Sequence, residues 1–381
     1  MMRENKKSLF NDPKKQNILI PILAILLSLV AAAVILLILG KNPLSAFYNL
    51  LQGSGLAPKA RYATGKSMVT DFTDFLNSLT PMIFASLAVM VALKGGLFNI
   101  GVSGQMLVAG FVTTILIGYS DLNAFIAKPL VIIIGFVIGA LVGGLIGFLK
   151  YKFNINEVVS SIMINYIAQY VISFFINTKY VDPVSRQSKN IGPSARLTLM
   201  NMKLGGFKIN IPLAIVLALI TVFVIRFIIN KTVMGFEIKS VGSGILSSKY
   251  IGIDVNRKIL QTMLISGGLA GLAGVTYYLG FYSSIRPNVL PSVGFDAIAV
   301  CLLGNSSSIG IVFASFIINL ISEGGNYMSS QAGVDREISA VITGLILLFS
   351  ACGAYIKYKL NDVNKEKQNR KILEEKEGEN A

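Results

Sequence analysis

The stretch Lys94–Gly110, KGGLFNIGVSGQMLVAG, holds the polar side chains best placed to act on a solute. Asn99, Ser103 and Gln105 stand there with Gly95, Gly96, Gly101 and Gly104, between two apolar runs that are each long enough to cross a bilayer. Unpaired backbone N–H and C=O groups in hydrocarbon cost several kcal/mol each. Backbone that leaves a helix therefore survives only inside protein or beside a water-filled path. Packing alone would explain the glycines, which let neighbouring spans approach closely, but it does not require two carboxamides. The segment reads as pathway lining, with Asn99, Gly101, Gly104 and Gln105 as candidate residues.

Other chemistries find little support. The chain has no histidine, so the usual near-neutral proton shuttle and the commonest metal ligand are missing. Cys301 and Cys352 lie in apolar runs outside any CxxC spacing, which supports neither a disulfide framework nor a metal site. Acid–base and nucleophile sets do not cluster, so no enzyme is expected. Ala60–Ser67, ARYATGKS, fits a loose phosphate-loop pattern. A working loop needs a buried strand before it and a helix N-terminus after it, so that backbone amides converge on phosphate. LLQGSGLAPK, which precedes it, makes no such strand, and the chain is not expected to hydrolyse ATP itself.

The elements that must carry these residues follow from composition. Hydrophobic residues make up 53% of the 381, charged residues 14%, and mean hydropathy is +0.67. Soluble domains carry roughly 25% charged residues, so this is an all-α polytopic membrane protein with about ten crossings of roughly 20 residues. In a soluble protein the net charge of +15 would suggest nucleic acid. Here the basic residues flank apolar runs, and topology explains them without a nucleic-acid partner.

In chain order, a basic cytoplasmic segment 1–17 precedes a retained first span, Ile18–Leu39. After a polar excursion over 41–75 come spans at Leu76–Leu93, Val102–Gly118 and Pro129–Leu149. The last carries Gly139, Gly143 and Gly147 at four-residue spacing, a face suited to helix packing. Phe153–Tyr170 opens on a capping Asn156 and Glu157 and bears a polar stripe of Ser160, Ser161, Asn165 and Gln169. That stripe faces either the bundle interior or a pore. A polar loop over 178–208 leads to the span Ile209–Ile229. The 29-residue connection 230–258 predicts two short helices broken at Gly242-Ser243-Gly244. Ile259–Phe281 crosses next. Pro291–Gly310 is a second interrupted segment, a short broken pair at about 294–304 and 309–324 with a polar break at Asn305–Ser308. A span over roughly 336–356 precedes the charged tail 357–381, expected to be disordered. Ten crossings put both termini in the cytoplasm, and the transmembrane domain covers 18–356. Two glycine-broken segments in the two halves point to a transport site between them.

The motifs GGLFNIGVSGQMLVAGF, NINEVVSSIMINYIAQY, VMGFEIKSVGSGILSSKYIGIDV and GFDAIAVCLLGNSSSIGI resemble the permease subunits of bacterial ABC importers. The likeness spans roughly residues 76–350. It points to the branched-chain amino acid and ribose-type superfamily, and within it to the nucleoside, or simple-sugar, branch. It implies a type II importer fold in which two permeases, often different subunits, form one pathway. It further implies ATP-binding partner subunits docked on Gly235–Val255, which assigns coupling to Gly235, Glu237, Gly242, Tyr250 and Gly252. An extracellular lipoprotein would deliver the substrate, and ATP would bind the partner, leaving this chain without cofactor or metal. Asn165 and Asn305 join Asn99, Gly101, Gly104 and Gln105 as pathway candidates. Ser103 departs from the family pattern and is assigned no role. A simple-sugar permease is the nearest alternative. An ion-coupled carrier is less favoured, because the acids near the spans are few: Glu157, Asp296 and Glu323.

Overall fold

The structure, a computed structural model, describes residues 13–204, 207–333, 335, 337–350 and 352. The chain divides into two units, 1–44 with 335–381, and 45–334. The first unit contains α1 (Pro13–Ile38) and a helix over Glu337–Ser350. The expected segment 1–17 is helical from Pro13, a residue suited to a first helical turn because its missing N–H would be unpaired there anyway. Its first twelve residues lie outside the described set, as do the tail 357–381 and most of the last span beyond Ser350.

The second unit is a helical bundle. It runs through α2 (Pro43–Gly53), α3 (Met68–Lys94), α4 (Val102–Thr113), α5 (Ala124–Phe153), α6 (Glu157–Phe175), α7 (Ala214–Lys231), α8 (Val233–Ser243), α9 (Ile245–Tyr250), α10 (Val255–Thr276), α11 (Val293–Leu303) and α12 (Ser308–Ala332). Among the described residues seven helices are long and apolar enough to cross a membrane, and three shorter apolar helices accompany them. Two helices form the centre. In their most apolar stretches α3 is 89% buried and α10, with the turn that follows it, 78%, against 28% for α7. The outer helices turn apolar side chains outward. On α7 the stripe Val216, Ile220, Phe223 and Phe227 is exposed at helical spacing, a surface suited to lipid.

Glycine sets the closest helix contact. A Cβ on Gly143 would stand 2.6 Å from the Gly267 Cα, and one on Gly267 2.7 Å from the Gly143 Cα. Gly139 and Gly143 thus pack backbone to backbone on Gly267 and Gly271 of α10, and Gly147 packs on Leu260 and Met263.

Three expectations need correction. The segment 178–208 is not simply a loop, and the sixth span does not begin at Ile209. Thr198–Leu204 (β1) and Phe207–Pro212 (β2) form an antiparallel hairpin, and α7 starts at Ala214. Ile209 and Ile211 alternate with polar residues, a period-two pattern, but they abut the apolar run of α7 and merge with it in a hydropathy reading. Second, the excursion 41–75 contains α2, with Leu50 against Gly324 of α12. Third, only α11 of the broken pair is short, since α12 runs for 25 residues.

The phosphate-loop match ends in a different task. Ser67 caps α3: its Oγ accepts from the Thr70 N–H, and Thr70 Oγ1 accepts from the Ser67 N–H at 3.1 Å. An irregular segment and α2, not a strand, precede it.

Candidate functional site

The first interruption is a knot of carboxamides. After α3 ends at Lys94 the chain turns through Gly96, whose φ of 72° favours glycine, and crosses to α4 without helical bonds. The Asn99 side chain replaces the lost ladder. Its Oδ1 accepts from the Gly101 N–H at 3.0 Å and from Gln105 Nε2 at 3.1 Å. Its Nδ2 donates to Gln105 Oε1 at 3.0 Å and to Ser266 Oγ at 2.9 Å. The Ser266 hydroxyl donates in turn to the Ala88 carbonyl of α3 at 2.7 Å. Asn99, Gln105 and Ser266 are each fully buried. Each such bond is worth about 1 kcal/mol net, whereas an unpaired buried group costs roughly 1–3 kcal/mol.

The polar stripe of α6 holds both interrupted segments. Asn165 Oδ1 accepts from the Gly104 N–H at 2.8 Å, and its Nδ2 donates to the Ile100 carbonyl at 3.1 Å. One turn on, Gln169 donates to the Asn288 carbonyl at 2.7 Å, and a turn further Ser173 accepts from the Asn288 N–H at 2.7 Å. Asn288 belongs to the irregular stretch that leads into α11. Asn165 and Gln169 of the stripe thus bond neighbouring segments, whereas Ser160 donates back to the Asn156 carbonyl and the buried Ser161 Oγ has no partner among the described residues. A second tie joins the segments directly: Ser103 Oγ donates to the Pro291 carbonyl at 2.9 Å. Gly294, in the first turn of α11, lies so close that a Cβ there would meet the Ser103 N at 2.6 Å. The N-termini of α4 and α11 therefore abut.

Asn305 stands apart from this assembly. It is exposed, in the turn between α11 and α12, with φ of 51°. The five other pathway candidates, Asn99, Gly101, Gly104, Gln105 and Asn165, are buried together.

The connection after α7 forms the two short helices expected, α8 and α9, parted at Gly244. Thr232 caps α8 by accepting from the Gly235 N–H at 3.2 Å. Gly235 is buried where α8 folds back on α7, and a Cβ there would stand 2.6 Å from the Ile229 Cα. Glu237 pairs with Lys258 of α10 at 2.7 Å. Gly242 touches the backbone of the first interruption, with a Cβ there falling 2.8 Å from the Gly96 N. Gly252 has φ of 83° and open space around it, so it serves the turn into α10. Outward, the pair presents Val233, Phe236, Leu246, Tyr250 and Ile251, from 60% to 93% exposed.

Reading the sequence alone missed Ser103 and Ser266. Ser266 sits in a run of glycines and alanines with no local signal of a distant partner. Ser103 was discounted as a departure from the family pattern, yet it bonds the two interruptions together.

The family model for the branched-chain amino acid transport system permease component matches residues 72–351. The chain is 34% identical over 356 residues to the guanosine ABC transporter permease protein NupP of Bacillus subtilis, covering 93% of this chain and 98% of that one. It is 32% identical to the nucleoside ABC transporter permease protein NupB of Lactococcus lactis, covering 91% and 94%. With the glucose ABC transporter permease protein TsgB13 of Haloferax volcanii the identity is 27%, over 88% of each chain. No solved structure matches the chain. A bundle of membrane-spanning helices with two bonded interruptions, matched over most of its length, belongs to the permease component family of branched-chain amino acid transport systems: the chain is a multi-pass transport permease and not an enzyme.

Proposed function

We propose that this chain is the membrane-spanning subunit of an ATP-driven importer that carries nucleosides inward. The observation that carries this reading is the likeness, along nearly the whole chain, to permeases named for guanosine and nucleosides. Partner ATP-binding subunits supply the energy by gripping the exposed face of α8 and α9, and both termini lie on that cytoplasmic side. A second permease, in this branch often a different polypeptide, completes the pathway, and an extracellular lipoprotein delivers the solute. The chain itself binds neither metal nor cofactor.

The transmission follows from contact. Gly242 rests on Gly95–Gly96, so a push on α8 reaches the first interruption directly. The knot of Asn99, Gln105 and Ser266 passes the displacement to α4, and Ser103 passes it to the segment before α11. Asn99, Gly101, Gly104, Gln105 and Asn165 shape the wall of the pathway with their hydrogen-bonding capacity already committed, which suits a conduit that lets solute pass. Asn305 marks the turn that serves as a hinge between α11 and α12.

The test is uptake of labelled guanosine into proteoliposomes holding this chain with its partner ATPase, permease and lipoprotein. Uptake is expected to require ATP and to persist with a protonophore. Uphill uptake by this chain alone, or uptake abolished by the protonophore while ATP remains, would sink the reading. The likeness to a glucose permease favours a free sugar as the second reading, and competition by ribose or glucose against guanosine decides between them.

A further inference from the structure

Between α4, α5 and α6 runs a groove of about 350 Å³ whose lining is apolar throughout. Val108 and Phe111 of α4, Leu145 of α5, and Ile164, Ala168 and Phe175 of α6 all contribute to it. Phe111 and Ala168 are buried, whereas Leu145 and Ile167 of the lining are exposed, so the groove opens on the outer surface of the bundle. An apolar hollow less than half this size takes up a benzene molecule.

The dimensions decide what fits. From Ile164 to Phe175 the groove follows α6 for about 16 Å at 1.5 Å per residue. That is one leaflet, half of a hydrocarbon core about 30 Å thick. At the Phe175 end the groove stops against aromatic rings. Phe175 lies 6.4 Å from Phe111, Tyr180 meets Phe111 edge-on at 6.1 Å, and Tyr119 stacks on Tyr180 at 5.9 Å. Tyrosines gather at the level where hydrocarbon gives way to headgroups. Spread over its length, the volume gives a cross-section of about 22 Å², close to the roughly 16–20 Å² of a single file of methylenes in contact at 4.0–4.5 Å. A partner helix, about 10–12 Å across, is too wide to enter and could only cover the mouth. Lys179, next to Tyr180 in the chain, is exposed and makes no ion pair among the described residues.

We propose that this groove seats one phospholipid, with an acyl chain between α4, α5 and α6 and the phosphate on Lys179. The seated chain acts as a spacer. Ile164, Ala168 and Ile172 of the lining each precede a residue that bonds an interrupted segment, Asn165, Gln169 and Ser173. Its occupancy therefore sets how α6 stands against both segments. The site lies toward the end of α6 away from α8 and α9, in the outer leaflet under the topology proposed above. The seat itself does not depend on which solute is carried.

The chain has no tryptophan, so Phe111→Trp places one reporter in the groove wall, read as the difference between variant and parent complexes. The full complex is reconstituted in phosphatidylcholine–phosphatidylglycerol vesicles with acyl chains brominated at mid-length. Bromine is expected to quench Phe111→Trp at least half as strongly as Phe223→Trp on the exposed stripe of α7. Quenching of Phe223→Trp alone would overturn the proposal, and a partner permease sealing the groove would give that pattern. Ala168→Leu, which fills the groove, is expected to cut the Phe111→Trp quenching at least twofold, and unchanged quenching would likewise overturn it. Native mass spectrometry of the detergent-washed complex reads the site without a reporter. A phospholipid retained by the parent complex and lost with Ala168→Leu is expected, and its absence overturns the seat. Lys179→Glu is expected to lower the retained fraction at least twofold, and unchanged retention would remove the phosphate contact.

Discussion

The two interruptions look alike as sequence, each a few glycines with Asn and Ser inside apolar runs, yet they solve opposite problems. Between Lys94 and Val102 the backbone leaves the helix in a buried place and side chains take up its polar groups: Asn99 takes the Gly101 N–H, the distant Asn165 takes the Ile100 carbonyl and the Gly104 N–H, and Ser266 fixes the Asn99 amide. Between Leu303 and Ser308 the chain turns near the surface and satisfies itself. The N–H groups of Gly304, Asn305, Ser306 and Ser307 donate to the carbonyls of Val300, Leu302, Cys301 and Gly304 at 2.8–3.1 Å. Asn305 and Ser306 adopt φ of 51° and 48° to close that turn. A break that depends on remote side chains can report on remote events, whereas a self-contained turn serves as a hinge.

Substitutions can break this contrast. Asn99→Leu is expected to cost the most. It strands the Gly101 N–H and the Gln105 amide in a dry interior, a loss of roughly 3–5 kcal/mol at about 1–3 kcal/mol per unpaired group. Thermal unfolding of the purified protein measures it, and a loss below 1 kcal/mol would mean that water reaches the knot. Asn165→Leu removes the partners of Gly104 and Ile100 and is expected to cost about 2 kcal/mol by the same measurement. Gly242→Val acts on coupling. Its side chain would collide with the Gly95–Gly96 backbone, and lipoprotein-stimulated ATPase activity is expected to fall roughly tenfold, a coupling change of ordinary size. Unchanged stimulation would remove this contact from the transmission route. At the other interruption the effects shrink. Asn305→Gly keeps the left-handed backbone open and is expected to shift stability by less than about 0.5 kcal/mol, whereas the β-branched Asn305→Val costs about 1–2 kcal/mol. Equal losses at Asn99 and Asn305 would erase the distinction.

The helices were legible because their signals are local. The Asn156 cap, the break near Gly242–Gly244 and the Gly139–Gly147 face depend on residues a few positions apart, and each forms as the spacing implies. Tertiary partners were not legible. Asn99 meets Ser266 across 167 positions and Ser103 meets Pro291 across 188, and no periodicity encodes such pairings. The hairpin Thr198–Pro212 was hidden for another reason: its second strand is apolar enough to be absorbed by the helix after it. For the candidate site, residue types in the first interruption announced polar business inside the bundle, but not that those groups would be consumed by one another.

The glycine seam between α5 and α10 restricts how such a molecule can open. At Gly139 and Gly143 one backbone lies against the other, on Gly267 and Gly271, with no side chains between them to act as bearings. Sliding by even one residue would drive a Cβ-bearing position into a carbonyl. These two helices must therefore travel as a single strut, and any opening has to be found at the joints around it, such as the packing of α12 on α3.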